Sequence, residues 1–133
     1  HPEFGQVLAS CSFDRKVCIW EELGDSEELS QPPRGGWKQQ AELVEAKDML
    51  HDLKFAPKHL GLRLACCGSD RFVRVYEAPD VMDLSGWVLM HEFEADSAGG
   101  SKTSAPQCLT WNTSALGGMM LAIGFTDGSG HPW

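Results

Sequence analysis

Apolar and polar positions along this chain fall into short, strand-length runs broken by tight turns, and the whole pattern recurs. Gln6 to Ser12 and Lys16 to Glu21 are rich in Val, Ile, Ala and Cys, and Leu62 to Gly68 and Phe72 to Glu77 match them. The connections are Phe13-Asp14-Arg15 and Ser69-Asp70-Arg71. Each pair predicts a β-hairpin, because Asp tolerates the turn backbone and its carboxylate bonds nearby amides. Asp14 to Asp70 spans 56 positions, and so does Trp20 to Tyr76. A third copy begins at Leu121-Ala122-Ile123-Gly124 and reaches Asp127-Gly128, with Asp127 lying 57 positions after Asp70.

Two more runs complete the unit. Met49 to Ala56 ends in Leu53-Lys54-Phe55-Ala56, and Gln107 to Asn112 ends in Leu109-Thr110-Trp111-Asn112, again 56 positions on. Gly36-Trp37 through Leu43 and Gly86-Trp87 through Phe93 precede them, 50 positions apart. Asp25 to Leu29 and Gln39 to Asp48 would also suit a short helix. The shared Gly-Trp opening favours a strand, since Trp87-Val88-Leu89-Met90 has strand composition.

The repeat therefore reads outer strand, inner strand, turn, hairpin pair, ending in Trp20-Glu21 or Tyr76-Glu77. Four short antiparallel strands with an aromatic-acid close describe one blade of an all-β propeller of the WD-repeat kind. The literal Trp-Asp and Gly-His dipeptides of that repeat are absent. On this reading residues 1–22 are part of a blade, 36–78 a blade and 86–128 an incomplete one, roughly two and a half in all. A closed propeller needs about four to eight, so the 133 residues are expected to be a piece of a longer protein. The closing Gly128-Ser129-Gly130-His131-Pro132-Trp133 is not expected to continue into a further strand.

Asp14, Asp70 and Asp127 occupy the same turn in successive copies, so they are expected to fix hairpin register by accepting turn amides. Trp20, Tyr76 and Trp111, with Phe55, recur at blade positions and are expected to pack the core. Base stacking is the lesser alternative. Cys66-Cys67 is adjacent in a strand, so its thiols should point to opposite faces. Cys11 and Cys18 flank a turn and could approach each other, but no metal-ligand spacing accompanies them. His51-Asp52 resembles half of a catalytic pair, yet no nucleophile is placed beside it, and a structural histidine is the better reading. Neither Gly35-Gly36 nor Gly99-Gly100 leads into a phosphate loop. No catalytic residue, cofactor or metal is expected.

The formal net charge is −8, with much of the acid in Glu21-Glu22, Asp25, Glu27-Glu28, Glu92, Glu94 and Asp96. A solvated loop surface explains this; a patch for a basic partner is the alternative. Binding to a nucleic-acid backbone is disfavoured, since it needs clustered Lys and Arg. Five cysteines, an odd count, sit mostly in strand-like runs, which fits a reducing cytosolic or nuclear compartment. No apolar run approaches a membrane span. Leu23 to Gly35 and Glu94 to Ala105 read as surface loops, and they lengthen the period beyond the ~40–45 usual for this repeat.

Two WD-repeat families share the first copy's pattern of Leu8-Ala9-Ser10-Cys11, Asp14-Arg15 and Trp20. They are the Sec-thirteen-type subunit of the COPII vesicle coat and the Seh-type nucleoporins. The second copy separates them. Lys54-Phe55-Ala56-Pro57-Lys58-His59-Leu60-Gly61 and Tyr76-Glu77-Ala78-Pro79-Asp80-Val81-Met82 resemble the Seh-type nucleoporins, well through residue 93 and again at Cys108 to Asn112 and Met119 to Gly124. The resemblance implies an open propeller completed by strands from an α-solenoid nucleoporin. It implies a non-enzymatic scaffold role among other Y-complex subunits, at the nuclear envelope in the nuclear pore complex. It also implies a second place, in a nutrient-signalling assembly on vacuolar or lysosomal membranes. A COPII-type coat subunit and a WD-repeat peptide-binding adaptor are the alternatives.

Overall fold

The apolar runs are strand-length, and Asp, Gly and Pro punctuate them, so the backbone resolves into strands and turns. The computed structural model describes residues 1–24, 36–96 and 103–133. Most of the two expected surface loops, the helical alternative at Asp25 to Leu29 and the Gly99-Gly100 pair lie outside the described residues, as does Gly35. The strands are β1 Val7–Cys11, β2 Val17–Leu23, β3 Gly36–Leu43, β4 Leu50–Phe55, β5 Arg63–Gly68, β6 Phe72–Glu77, β7 Val88–Glu94, β8 Pro106–Trp111, β9 Leu121–Phe125 and β10 Gly130–Pro132. The helical alternative at Gln39 to Asp48 gives way to β3 over its first half.

These strands form three antiparallel sheets, ordered β1-β2-β3, β4-β5-β6-β7 and β10-β9-β8. The fold is all-β, and its stacked sheets are those of a partial WD-repeat propeller. Two details differ from the sequence reading. β3 pairs with β2, not with the strands that follow it, and β7 pairs with β6. The sheets therefore span 7–43, 50–94 and 106–132, and the expected division into 1–22, 36–78 and 86–128 assigns each outer strand one sheet too late. The reason is local: after the hairpin, the nearest unpaired edge belongs to the sheet just built. In addition, Gly130–Pro132 does form a strand, with His131 opposite Ile123. Its Gly and Pro mask the strand pattern, but a short edge strand tolerates both.

The copies agree in fine geometry. The register slips between Ile19 and Trp20 and again between Val75 and Tyr76. It slips between Leu50 and Asp52 and again between Pro106 and Cys108.

The two central strands of the middle sheet, β5 and β6, are buried on both faces. Leu64, Cys66 and Tyr76 pack toward Val7, Val17, Ile19 and Leu43 of the first sheet. Ala65, Cys67, Val73 and Val75 pack toward Leu109, Trp111, Leu121, Ile123 and Phe125 of the third. Each large aliphatic side chain so buried contributes about 1.5–3 kcal/mol. The adjacent thiols of Cys66 and Cys67 thus lie in different cores, as alternation along a strand requires. β4 touches both β1 and β8, which places it where neighbouring sheets converge.

Candidate interaction surface

The three hairpin turns are one device used three times. Asp14 accepts the Lys16 amide at 3.1 Å, Asp70 the Phe72 amide at 3.1 Å and Asp127 the Ser129 amide at 2.9 Å. The next residue is left-handed each time: Arg15 at φ 72°, Arg71 at φ 69° and Gly128 at φ 82°. Its amide donates to the carbonyl three residues back, of Ser12, Gly68 and Phe125. Two arginines thus hold a conformation that favours glycine, and the turn hydrogen bonds offset the cost.

Asp70 has more to do than its counterparts. Its second oxygen accepts from the Lys47 amide at 2.9 Å and from Arg74 Nη1 at 2.7 Å. Arg74 is fully buried, and its Nε also donates to Glu92 at 2.7 Å. Burial works to lower the Arg74 pKa, but the bonds and charges of Asp70 and Glu92 outweigh it and raise it. Tyr76 donates its hydroxyl to Glu45 at 2.9 Å. Burial, then the neighbouring Cys66 and Glu45, push that phenol well above its usual range.

The aromatic positions do not share one environment. Tyr76 and Trp111 are buried, whereas Trp20 is only half-buried and its indole donates to Ser10 at 3.0 Å. Trp133 is the third-copy partner that the sequence reading missed. It lies six positions after Asp127, as Trp20 and Tyr76 lie six after Asp14 and Asp70. Its backbone pairs with Leu121, just as Trp20 faces Leu8 and Tyr76 faces Leu64. Fixed spacing from the Asp was the signal that could have found it.

Side chains join one sheet to the next. Asp52 accepts the Leu109 amide at 2.9 Å, and the Trp111 indole donates to the Lys54 carbonyl at 3.0 Å. Backbone groups on the inner edges of β4 and β8 are thereby satisfied without another strand. His51 meets the Ser69 hydroxyl at 2.6 Å, which ties β4 to the hairpin turn. Cys11 lies opposite Val17 and Cys18 opposite Ser10, and both are free thiols. Among the described residues, no three His, Cys, Asp or Glu side chains gather as metal ligands would. No helix among them is long and apolar enough to cross a membrane.

The arrangement is a stack of three sheets whose edge strands are β1 and β3, β4 and β7, and β8 and β10. Repeated hairpins, repeated register slips and stacked antiparallel sheets define the class as a WD-repeat β-propeller segment. No family model matches the chain. Its curated relatives are more specific. Nucleoporin SEH1 of Danio rerio is 46% identical over 132 residues, which is 98% of this chain and 34% of that protein. Nucleoporin SEH1 of Homo sapiens and Nucleoporin SEH1-A of Xenopus laevis are each 46% identical over 131 residues. The chain spans about a third of the length of these curated relatives. The Seh-type nucleoporin resemblance carried by the block from Tyr76 to Met82 is thus shown, by matches that cover nearly the whole chain.

Proposed function

We propose that the protein containing this chain is a scaffold nucleoporin, a WD-repeat platform in the outer-ring coat of the nuclear pore. The observation that carries it is 46% identity to proteins named Nucleoporin SEH1, running through all three sheets. The fold suits the role, because sheets stacked through shared cores make a stiff body that presents loops and edges to other proteins. Its action is binding, not turnover. Asp14, Asp70 and Asp127 set the turns, and Trp20, Tyr76 and Trp111 brace the blades. The partners on this reading are an α-solenoid nucleoporin that pairs strands with the propeller, and other Y-complex subunits. A second pool on vacuolar or lysosomal membranes, in nutrient signalling, belongs to the same reading. Vesicle-coat and peptide-adaptor roles are not favoured by relatives that carry the nucleoporin name.

The test is affinity capture of the tagged full-length protein with imaging of its location. Recovery of outer-ring nucleoporins and a nuclear-rim signal support the proposal. Capture of vesicle-coat cage proteins in their place overturns it.

A further inference from the structure

Three equivalent loops, His1 to Gly5, Ala56 to Gly61 and Asn112 to Gly118, follow or flank the inner strands, and His1 to Glu3, Ala56 to His59 and Thr113 line one space. They enclose an open groove of about 560 Å³. Lys54, Phe55, Lys58, His59, Trp111 and Thr113 supply most of its character. The lining holds two lysines and one carboxylate, Glu3, a local balance of +1 with histidines neutral, in a chain whose balance is −8. Lys58 lies 5.9 Å from the Phe4 ring, and no described carboxylate pairs with it. Lys54 shares Asp52 at 3.5 Å, but that carboxylate already accepts the Leu53 and Leu109 amides. The walls are tied together: His1 Nε2 meets the Ala56 carbonyl at 3.1 Å, and the Trp111 indole holds that of Lys54. The groove is thus built before any ligand arrives, and its size suits a few side chains of a peptide.

We propose that this groove binds an acidic, partly apolar segment of a partner protein, with Lys54 and Lys58 meeting its carboxylates and the floor at Phe55 meeting an apolar side chain. The occupant follows from charge: a cationic concavity on an acidic body attracts anionic segments and repels cationic ones. This goes beyond the scaffold reading and does not depend on it.

The experiment is fluorescence anisotropy of the full-length protein with a fluorescein-labelled Glu/Leu peptide and its Lys/Leu counterpart. The Glu/Leu peptide should bind, more weakly as salt rises. The pair Lys54→Glu and Lys58→Glu should weaken it by about tenfold or more. Thr113→Trp, which fills the groove without altering charge, should do the same, with circular dichroism showing the fold retained. Equal binding of the Lys/Leu peptide, no binding of either, or unchanged affinity in both variants overturns the proposal. Capture of outer-ring nucleoporins is a separate readout, so either idea can fail alone.

Discussion

Asp70 Oδ2 lies 2.7 Å from Arg74 Nη1, and the two side chains are only 6% and 1% exposed. A charge pair so buried is costly to break from one side, because the survivor keeps its desolvation cost and loses its partner. Asp70 also holds two backbone amides, so one carboxylate fixes a hairpin and anchors the loop at Lys47.

Asp70→Ala should therefore destabilise the full-length protein by about 3–5 kcal/mol. Asp14→Ala, whose carboxylate is exposed and makes one turn bond, should cost about 1 kcal/mol. Urea unfolding of the two variants checks the contrast. Equal losses would mean that the turn bond, not the buried pair, dominates.

Gly68 closes β5 against the loop before β4. A methyl group there would sit 2.2 Å from the Met49 carbonyl oxygen, so backbone must move. Gly68→Ala is expected to cost about 1–3 kcal/mol. Gly86→Ala, where the nearest atom is 3.6 Å away, is the control and should change the thermal midpoint little.

Arg15 stands left-handed at φ 72° where the third copy has glycine. Arg15→Gly should be neutral or stabilising by up to about 1 kcal/mol, since relief of the Cβ clash competes with a freer unfolded chain. Arg15→Val should destabilise by about 1–2 kcal/mol, because a β-branched residue fits that backbone worst. Thermal melts of both variants give the ordering directly.

Burial pushes the Cys66 thiol from 9.0 up to about 12, and raises Cys67 and Tyr76 as well. Below pH 9 both states keep the Cys66 proton, so its contribution to stability is constant. Between pH 9 and 12 the unfolded chain ionises while the fold does not, so stability should fall as pH rises. Denaturant midpoints across that window should decline, and Cys66→Val should make the decline shallower.

The hairpins were legible in sequence because an Asp-centred turn separates two strand-length apolar runs at a fixed spacing in each copy. The buried faces were less so. Arg74 sits between Val73 and Val75 and would ordinarily be read as solvent-facing, yet β6 has no solvent face. Its partners Glu92 and Asp70 come from a neighbouring strand and a turn, a coincidence that only pairing register reveals. Asp52 likewise serves Leu109, 57 residues away in another sheet. Trp133 escaped notice since Gly130 and Pro132 break the apolar pattern before it. Trp20 and Tyr76 look alike in sequence, but what packs against each is decided by neighbouring sheets.

Because each outer strand completes the sheet before it, a unit of the repeating text is shared between two bodies. Duplicating such a unit in a gene adds a stitch as well as a panel, so the product arrives already sewn to its neighbours. Cutting between units, by contrast, leaves a seam open on both sides.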